Sequence, residues 1–251
     1  MRSIDLNCDM GESFGAWTMG NDREILPLVS SANIACGFHA GDPSTIAETV
    51  ALAIEAGVAI GAHPSYPDIQ GFGRREMSLS PREIRDFVIY QVSALKGICE
   101  TFGGRLHHVK PHGALYNRAA RDPEAAEAIA DAVAAVDGGL FVYGLSGGDL
   151  VSAAENSGLR TASEVFADRT YMSDGTLTPR SRPDALITSP GEAADRALSM
   201  AREGEVASVD GALVKVRSET ICIHGDGPHA LDFARAIRAA LDEAEIEVKA
   251  P

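Results

Sequence analysis

The stretch SIDLNCDMGE, residues 3–12, alternates polar and apolar side chains. This alternation distinguishes the two folds that the chain could adopt, a β/α barrel and an open parallel sheet. Because successive side chains point to opposite faces of a strand, one face carries three polar residues: Asp5, Asn7 and Asp9. The other face is apolar and carries Ile4, Leu6 and Cys8. Strands of an open parallel sheet are apolar on both faces, because helices cover both. A polar face therefore favours a strand that lines the mouth of a β/α barrel.

Beyond this stretch, short runs of β-branched and apolar residues alternate with longer segments of helical period, as in repeated βα units. The pattern predicts strands at residues 3–8, 31–36, 58–63, 105–111, 140–145, 160–166 and 219–224. It predicts helices at residues 44–56, 81–102, 122–135, 147–156, 190–203 and 228–243. Together with the polar strand face, these repeats favour a (β/α) barrel over a doubly wound open sheet.

Helix starts and one insertion complete the predicted layout. Ser80, Asp122 and Ser189 each stand directly before a proline, which is typical of a capped helix N-terminus. The βα rhythm breaks between residues 167 and 218, where VDGALVKV predicts a hairpin that turns at Asp210 and Gly211. No linker rich in proline, serine or glycine divides the chain, so we expect a single β/α barrel domain over residues 1–251.

Composition and charge argue against two classes of partner. With 45% hydrophobic and 23% charged residues, the chain resembles an ordinary globular protein. Its 36 acidic and 22 basic residues give a net charge of −14, which repels nucleic acid and anionic membrane surfaces. The N-terminus does not read as a secretory signal, and the apolar stretch at residues 50–62 is too short to span a bilayer. We therefore expect neither nucleic acid nor membrane as a partner.

The four cysteines indicate a reducing compartment. Cys8, Cys36, Cys99 and Cys222 are far apart in the sequence, and none belongs to a C-x-x-C pair. Such spacing is typical of reduced thiols and unlike a disulfide framework or a structural zinc site. We expect a cytoplasmic protein in which most of these cysteines are small buried residues.

Polar residues gather where the predicted strands end. Four strands end near a histidine: His39, His63, His112 and His224. Carboxylates accompany them: Asp5, Asp9, Glu12, Asp42 and Asp226. The period of two also puts His108, Lys110 and His112 on one face. Because the carboxyl ends of barrel strands meet at one rim, we expect these side chains to form a shared polar pocket.

The residues alone leave open what this pocket binds. Histidine and aspartate from separate strands can hold a divalent metal, but no H-E-x-x-H or similar spacing is present, so no ligands are assigned. Alternatively, Lys110 is costly inside a barrel unless it is paired, and it can help to bind a carboxylate or phosphoryl group. Four arginines could assist it: Arg74, Arg75, Arg169 and Arg180. The simpler interpretation of these arginines is a set of solvated loop residues.

The last predicted strand is followed by a glycine-rich turn and a helix. Backbone N–H groups at such a helix start can bind an anion, so Gly225 and Gly227 are candidates for a phosphate site. With Ala230 they match G-x-G-x-x-A, but we expect no further strand to complete a βαβ unit, so a dinucleotide site is not favoured. The G-x-x-x-x-G-K-[ST] pattern of an ATP site is absent from the sequence.

Six stretches resemble the successive motifs of one known family. They are LNCDMGESFG (6–15), ANIACGFHAGDP (32–43), GAHPSYPDIQGFGRR (61–75), HVKPHGALYN (108–117), EVFADRTY (164–171) and CIHGDGPHA (222–230). In this order they resemble the LamB/YcsF family, whose members are described as A subunits of bacterial 5-oxoprolinase. The resemblance runs from Asp5 to the final helix. It implies a seven-stranded β/α barrel of the glycoside hydrolase/deacetylase type.

The resemblance also implies a reaction and its partners. Family members open 5-oxoproline (pyroglutamate) to L-glutamate at the expense of ATP, together with subunits B and C. ATP would then be a co-substrate bound mainly by those partners, in agreement with the missing phosphate-loop motif. A homo-oligomer and a bound divalent metal remain possible.

On this resemblance, the polar strand ends divide into two roles. The implied catalytic residues are Asp9, Glu12, His39, His63, Lys110 and His112. The implied substrate-binding residues are Asn7, Arg74, Glu164, Asp168, Arg169, His224 and Asp226. Carboxylate and histidine would position or deprotonate water, and Lys110 and His112 would stabilise developing negative charge. The loops at residues 68–76 and 175–185 are where substrate details could differ.

Two other functions stay open at this point. A stand-alone metal-dependent amidohydrolase or deacetylase would act without ATP or partners and would lose activity on chelation. A non-catalytic subunit that only presents substrate would tolerate replacement of Asp9 and His63.

Overall fold

The protein's structure, a computed structural model, describes residues 2–227 and 229–251. Its strands are β1 (Ser3–Met10), β2 (Ser31–Ala35), β3 (Ala59–His63), β4 (Leu106–Val109), β5 (Phe141–Leu145), β6 (Arg160–Phe166), β7 (Glu205–Ala207), β8 (Leu213–Lys215), β9 (Thr220–Ile223) and β10 (Glu247–Val248). Its α-helices are α1 (Asp22–Ile25), α2 (Pro43–Ala56), α3 (Pro81–Thr101), α4 (Gly113–Ala119), α5 (Pro123–Asp137), α6 (Asp149–Asn156), α7 (Pro190–Glu203) and α8 (Ala230–Glu243). A 3-10 turn at Leu26–Leu28 follows α1 directly.

Seven parallel strands close into a barrel. Their order is β1, β2, β3, β4, β5, β6 and β9, and β9 pairs with both β6 and β1. In this register Asp9 of β1 is level with Asn33 of β2, and Asn7 is level with Cys222 of β9. The closed ring confirms the predicted seven-stranded β/α barrel. Because all seven strands are parallel, their carboxyl ends meet at one rim.

The predicted strands and helices are present, and their ends differ from the prediction by at most two residues. The predicted hairpin is confirmed, since β7 and β8 pair antiparallel and Asp210 and Gly211 lie in the turn between them. Helix α8 begins at Ala230, and its predicted start at Pro228 lies outside the described residues.

Three short elements are not predicted by the sequence pattern: α1, α4 and β10. Strand β10 pairs with the beginning of β1, with Ser3 opposite Glu247, so the expectation that no strand follows the last βα unit is wrong. Helix α1 has four residues, α4 has seven and β10 has two. Elements this short hold at most two turns or one strand period, so no hydrophobic repeat can develop in them.

Local sequence fixes the helix starts. The Ser80 hydroxyl accepts a hydrogen bond from the Glu83 amide, and the Glu83 carboxylate accepts one from the Ser80 amide, which completes a capping box. Asp122 and Ser189 accept hydrogen bonds from first-turn amides of α5 and α7. The predicted cap residues therefore satisfy first-turn N–H groups of α3, α5 and α7 and mark where these helices begin.

The two faces of β1 meet different surroundings. Ile4, Leu6, Cys8 and Met10 lie in the hydrophobic core that the strands share with the surrounding helices. The alternate residues Asp5, Asn7 and Asp9 are also buried, but among polar side chains inside the barrel. An ordinary barrel interior is filled by branched apolar residues, so a polar interior marks this one as adapted to a site.

The four cysteines are buried, as the sequence analysis predicts for most of them. Cys8, Cys36, Cys99 and Cys222 are all buried free thiols. Burial raises the pKa of Cys36 to about 12 and that of Cys99 to about 11, so both are held as uncharged thiols. None of the described helices is both long and apolar enough to cross a membrane.

Candidate active site

Polar side chains inside the barrel form three hydrogen-bonded levels, which rise from the floor to the mouth. At the lowest level the Asp5 carboxylate accepts hydrogen bonds from Ser30 Oγ at 2.6 Å, Ser31 Oγ at 2.8 Å and Thr220 Oγ1 at 2.6 Å. Burial raises the pKa of Asp5, although these hydroxyl groups act in the opposite direction. The contacts tie β1 to β2 and β9, so this level supports the barrel.

The middle level is built around Lys110, which follows β4. Its Nζ lies 2.9 Å from Asp9 Oδ1 and 2.9 Å from Glu164 Oε1. It also donates to Asn7 Oδ1 at 3.1 Å and lies 3.0 Å from Cys222 Sγ. Burial acts to lower the pKa of Lys110, but Asp9, Cys222 and Glu164 outweigh it and hold that pKa well above its usual value. A buried lysine is tolerated here because two carboxylates compensate its charge.

Asp9 connects the middle level to the upper one. Its Oδ1 accepts hydrogen bonds from Lys110 and from Asn33 Nδ2, both at 2.9 Å, whereas its Oδ2 lies 3.4 Å from His63 Nε2. Burial acts to raise the pKa of Asp9, but His63 and Lys110 hold it well below its usual value. Asp9 is therefore ionised, with one oxygen committed to the barrel and the other facing the cavity.

The upper level is a group of four residues, which we call the histidine cluster: Glu12, His39, His63 and His112. One ligand-type atom from each lies within 4.8 Å of all the others. His63 Nε2 lies 2.9 Å from His112 Nδ1, and Glu12 Oε1 lies 3.1 Å from His39 Nε2 and 3.7 Å from His112 Nδ1. The rings of His39 and His112 stack, with 3.8 Å between centroids and 4° between planes.

Backbone carbonyl groups orient two of these rings. His63 Nδ1 lies 2.7 Å from the Lys110 carbonyl oxygen, and His112 Nε2 lies 2.9 Å from that of Phe72. A carbonyl oxygen can only accept, so each of these ring nitrogens carries the hydrogen and donates it. The two remaining nitrogens, His63 Nε2 and His112 Nδ1, are the ones that face each other.

Burial sets the charge of the histidine cluster. Burial and then Asp9 raise the pKa of Glu12 well above its usual value. Burial and then neighbouring histidines lower the pKa values of His39 and His112 well below theirs. Uncharged groups therefore predominate in the cluster at neutral pH, directly beside the charged pair of Asp9 and Lys110.

Glycine allows the loop after β3 to close over the histidine cluster. Gly73 has φ +63°, and a Cβ there would lie 2.2 Å from Ser65 Oγ and 2.9 Å from His112 Cδ2. Its carbonyl oxygen accepts a hydrogen bond from the Ala114 amide at 2.9 Å. Only a residue without a side chain fits both the backbone angle and the space, so Gly73 fixes this loop against the start of α4.

A second polar pair lies across the cavity at the ends of β6 and β9. His224 Nδ1 lies 2.7 Å from Asp168 Oδ2, and the His224 ring stacks on Phe166 with 5.5 Å between centroids. Burial acts to raise the pKa of Asp168, but His224 outweighs it and the pKa is lowered. The pair is therefore held in one orientation by hydrogen bonding and stacking.

A cavity of about 820 Å³ opens above these levels. Its floor includes five of the predicted site residues: Asp9, His63, Lys110, His112 and His224. Its wall carries four arginines: Arg74, Arg121, Arg169 and Arg180. Guanidinium groups bind carboxylates and phosphates in a bidentate way, so the cavity suits an anionic small molecule.

Arg169 is the buried member of this arginine set. It is 5% exposed, and its guanidinium donates to the carbonyl oxygens of Thr178 at 2.6 Å and Ala185 at 3.3 Å. Burial, together with Arg180, lowers the pKa of Arg169 to about 10. Because these partners are neutral carbonyl groups, its positive charge is left available to an anion in the cavity.

Not every predicted residue joins the main cavity. Of the two interpretations left open for the arginines, Arg75 fits that of a solvated loop residue, since it turns outward and pairs with Asp68, with Nε 2.9 Å from Oδ1. Gly225 and Gly227 line a separate pocket of about 480 Å³ with residues 18–21. A Cβ on Gly225 would lie 2.2 Å from the Asp9 carbonyl oxygen, so close packing on β1 accounts for this glycine. Asp226 reaches the rim, where it pairs with Arg74 at 2.6 Å.

Sequence reasoning missed Asn33, which joins the middle level to Asp9. Its Nδ2 donates to Asn7 Oδ1 at 2.7 Å and to Asp9 Oδ1 at 2.9 Å. Its Oδ1 lies 2.8 Å from His108 Nε2. The signal was present, because Asn33 is a polar residue inside the predicted strand at residues 31–36.

Two groups of side chains contain the donor types of a metal site, but only one of them suits a cation. In the group of Asp9, Cys222 and His224, the Lys110 ammonium already lies 3.0 Å from the thiol and 2.9 Å from the carboxylate, so a second cation would be repelled. In the histidine cluster, Glu12, His63 and one of the two stacked rings of His39 and His112 offer donor atoms within 4.8 Å of one another, because parallel rings cannot both direct their lone pairs to one ion. This donor set fits a divalent ion of the zinc class.

Both the sequence and the fold match known proteins. The LamB/YcsF family model matches residues 4–251. A protein of Tolumonas auensis, named as the A subunit of 5-oxoprolinase, is 58% identical over 250 residues, which cover 100% of both chains. The crystal structure of a lactam utilization protein from Thermus thermophilus has a TM-score of 0.94 and 54% identity, covering 99% of this chain and 100% of that one. A polysaccharide deacetylase from Bacillus cereus shares the fold alone, with a TM-score of 0.54 and 13% identity over 100% of this chain and 92% of that one.

Proposed function

The chain belongs to the LamB/YcsF family, and on that basis we propose that it is the A subunit of an ATP-dependent 5-oxoprolinase. In this proposal one barrel domain, residues 1–251, acts in the cytoplasm with subunits B and C to convert 5-oxoproline to L-glutamate. The names of two relatives support it: the 58% identical relative is named as the A subunit of 5-oxoprolinase, and the structural relative is named as a lactam utilization protein.

The observation that carries the proposal is the charge pattern of the 820 Å³ cavity. An ionised carboxylate, Asp9, and a charged amine, Lys110, lie 2.9 Å apart on its floor, and arginines line its wall. A small anionic substrate would find its carboxylate bound by guanidinium groups and its reacting carbon above a carboxylate, an imidazole and an ammonium group. That is the set needed to hydrolyse an acyl bond.

The need for ATP follows from the chemistry of the ring. A lactam carbonyl is a poor electrophile, and transfer of a phosphoryl group to its oxygen makes the ring carbon reactive. Water then adds to that carbon, the ring C–N bond breaks and the nitrogen becomes the amine of glutamate. A second water hydrolyses the resulting acyl phosphate and releases phosphate, so 5-oxoproline, ATP and two waters give glutamate, ADP and phosphate. Subunits B and C would carry out the phosphoryl transfer, because this chain lacks the phosphate-loop motif.

The cavity residues then divide the work on the activated ring. Asp9 Oδ2 and His63, which lie 3.4 Å apart, would position the attacking water and accept its proton. Lys110 would stabilise the negative charge of the phosphoryl group that the former carbonyl oxygen carries. The remaining predicted catalytic residues, Glu12, His39 and His112, surround His63 and hold its ring in place.

Residues of the cavity wall and rim would bind the substrate. Arg169, whose charge has only carbonyl partners, would bind the carboxylate or phosphoryl group of the activated substrate. Arg74, held at the rim by its ion pair with Asp226, would bind an anionic substrate as it enters the cavity. The pair of His224 and Asp168 would contact the opposite side of the ring. Asn7 and Glu164 lie below Lys110 and position it.

A reconstitution assay tests the proposed function. The purified chain is supplied with 5-oxoproline, with and without ATP and with and without subunits B and C, and glutamate is measured. We expect glutamate only when ATP and all three subunits are present. Glutamate formation by the chain alone on unactivated 5-oxoproline would contradict the proposal.

The histidine cluster favours one second candidate, a stand-alone metal-dependent amidohydrolase. Imidazoles and a carboxylate in one buried cluster are the donors that hydrolytic zinc enzymes use. This candidate predicts amide hydrolysis without ATP or partners, abolished by a chelator. The same reconstitution assay, repeated with chelator, separates the two candidates.

A further inference from the structure

The hydroxyl group of Tyr116 is buried in the cavity wall without a hydrogen-bond partner. Tyr116 lies on α4, is 6% exposed and lines the 820 Å³ cavity. No partner of hydrogen-bonding geometry reaches its Oη among the residues that the structure describes. Burial and then Glu164 raise the pKa of Tyr116 well above its usual value, so this hydroxyl stays protonated at neutral pH. It therefore carries a hydrogen that it can donate to a ligand.

Two other buried tyrosines show the usual arrangement. Tyr171 Oη accepts a hydrogen bond from the Phe166 amide at 2.8 Å, and Tyr143 Oη lies 3.3 Å from Ser31 Oγ. Buried polar groups in native proteins are nearly always paired in this way, because an unpaired one costs free energy. The unpaired hydroxyl of Tyr116, at the wall of a cavity, therefore indicates contact with a bound molecule.

The surroundings of Tyr116 fix its ring beside the charged centre of the site. The ring packs edge-to-face on Phe166, with 5.7 Å between centroids and 87° between planes, and Leu145 belongs to the same apolar cluster. The Phe166 ring centroid also lies 5.6 Å from Lys110 Nζ. This apolar wall suits the methylene groups of a small ring, and Tyr116 adds one polar atom to it.

Other donors near the cavity floor are already engaged. Lys110 is shared between two carboxylates, and His224 Nδ1 lies 2.7 Å from Asp168 Oδ2. Tyr116 instead offers an uncharged donor that has no partner among the described residues.

The proposed reaction requires a proton donor at the ring nitrogen. Addition of water to the phosphorylated ring gives a carbon that bears a hydroxyl group, a phosphate group and the nitrogen. Phosphate is the better leaving group, and its loss would regenerate 5-oxoproline and leave ATP hydrolysed without product. The C–N bond breaks instead only if the nitrogen, which receives the electron pair of that bond, also receives a proton.

We propose that Tyr116 is a catalytic residue whose hydroxyl donates a proton to the ring nitrogen as the C–N bond breaks. The proposal rests on the proposed function and adds a residue to it. As the nitrogen leaves, the hydroxyl group on the carbon loses its proton and becomes the carbonyl oxygen of the acyl phosphate. The phenolate left on Tyr116 takes up one proton in return, so the protons balance and the enzyme is restored.

The ratio of glutamate formed to ADP formed tests this role. The complex with subunits B and C is assembled with the wild-type chain or with Tyr116→Phe, and both products are measured in H₂¹⁸O. The ratio should be at least about tenfold lower in Tyr116→Phe than in the wild type, since general acids typically contribute about 100-fold or more. The 5-oxoproline recovered from the variant should contain ¹⁸O, because phosphate leaves with the original carbonyl oxygen.

Two control variants and a stability measurement accompany the assay. Tyr143→Phe removes a hydroxyl near Ser31 at the barrel floor and should keep both the turnover and the ratio of the wild type. His224→Gln should slow turnover without changing the ratio. In urea, the free chain with Tyr116→Phe should be at least as stable as the wild type, because the hydroxyl it lacks is unpaired, whereas Tyr143→Phe should be less stable.

Four results would overturn the proposal. They are an unchanged ratio in an active Tyr116→Phe complex, an assembled Tyr116→Phe complex that forms neither ADP nor glutamate, a lower ratio in His224→Gln alone, and a loss of urea stability in Tyr116→Phe as large as that in Tyr143→Phe. Failure of the proposed function is recognisable separately, since the wild-type complex would then form no glutamate. The urea comparison would still decide whether the Tyr116 hydroxyl is unpaired.

Discussion

Among single residues, Lys110 is the side chain whose removal should change the site most. Lys110→Met leaves Asp9 and Glu164 buried without their shared cation. We expect glutamate formation by the reconstituted complex to fall 100- to 1000-fold, roughly the cost of losing one charge-stabilising group. The free energy of unfolding should fall by about 3–5 kcal/mol, because a buried ion pair is broken on one side.

The matched control for this variant is Lys96→Met. Lys96 lies on α3, where it pairs with Glu100 at 3.1 Å near the surface. Turnover and urea stability should both stay at wild-type values in this variant. Near-normal turnover in Lys110→Met would remove Lys110 from the catalytic residues.

Asn33 should act through Asp9 and not on the substrate itself. Asn33→Ala removes the amide that donates to Asp9 Oδ1 at 2.9 Å and leaves a buried carboxylate oxygen with one partner fewer. We expect kcat to fall with KM little changed, and the free energy of unfolding to fall by about 1–3 kcal/mol. A rise in KM with unchanged kcat would show that Asn33 helps to bind substrate instead.

At this scale the sequence predicted the inward-facing residues of the site but not their contacts. The period of two placed Asp9, Lys110 and His112 inside the barrel, and the structure brings them to one cavity. It could not predict the outward turn of Arg75, because that depends on Asp68 seven residues earlier in an irregular loop. Nor could it predict which residues meet across the barrel, since their distances depend on strand register.

Among the strands, β3 shows how the barrel makes room for its polar interior. Gly61 lies beside His108 of the neighbouring strand β4. A Cβ built on Gly61 would lie 2.0 Å from His108 Nε2. Gly61→Ala should therefore displace His108 from Asn33 and lower the free energy of unfolding by about 1–3 kcal/mol. Urea denaturation measures this change.

Helix α3 contains a glycine with free space around it, in contrast to Gly61. A Cβ on Gly97 would meet nothing within 4 Å, and Gly97 lies inside the helix. Gly97→Ala should raise the free energy of unfolding by about 0.5–1 kcal/mol, because alanine loses less backbone entropy on folding. If both alanine variants changed stability in the same direction, the contact between Gly61 and His108 would not explain the first.

Element prediction from sequence succeeded where a hydrophobic period or a cap was present. The side chains of Ser80 and Asp122 accept hydrogen bonds from the first turns of α3 and α5, so the starts of these helices could be predicted from the sequence. Strand β10 contains two residues and exists because the end of the chain reaches β1. Its pairing is a tertiary contact, and no local pattern can show it.

For the whole molecule, buried neutral histidines predict how stability depends on pH. Burial lowers the pKa of His108 well below its usual value, so the folded state keeps this ring uncharged while the unfolded chain binds a proton below about pH 6.5. Stability from this group is therefore present above that pH and is lost as the pH falls. Between about pH 6.5 and 5 one such histidine costs up to about 2 kcal/mol.

His108→Gln isolates this contribution. Urea unfolding of the wild type and the variant is compared from about pH 7 to about pH 5, and the variant should lose less stability over that interval. The variant will also be less stable at pH 7, because the glutamine loses the stacking on Tyr143, where the ring centroids are 4.0 Å apart. Parallel pH profiles for the two proteins would show that His108 titrates equally in both states.

The fold of the whole molecule followed from the polar face of β1, because only a closed barrel encloses such a face on every side. The convergence of the histidine cluster did not follow in the same way. Its members come from three different βα loops and one strand end, and sequence order says nothing about the angle at which four side chains approach one point.

The central claim is that this chain carries out hydrolysis and does not merely present the substrate. The most direct measurement is glutamate formation by the three-subunit complex in which this chain carries Asp9→Asn, with assembly and 5-oxoproline binding measured on the same sample. We predict at least a 100-fold loss of glutamate formation with assembly and binding retained, because Asp9 supplies the carboxylate that faces the cavity. Turnover near the wild-type rate in an assembled Asp9→Asn complex would contradict the claim.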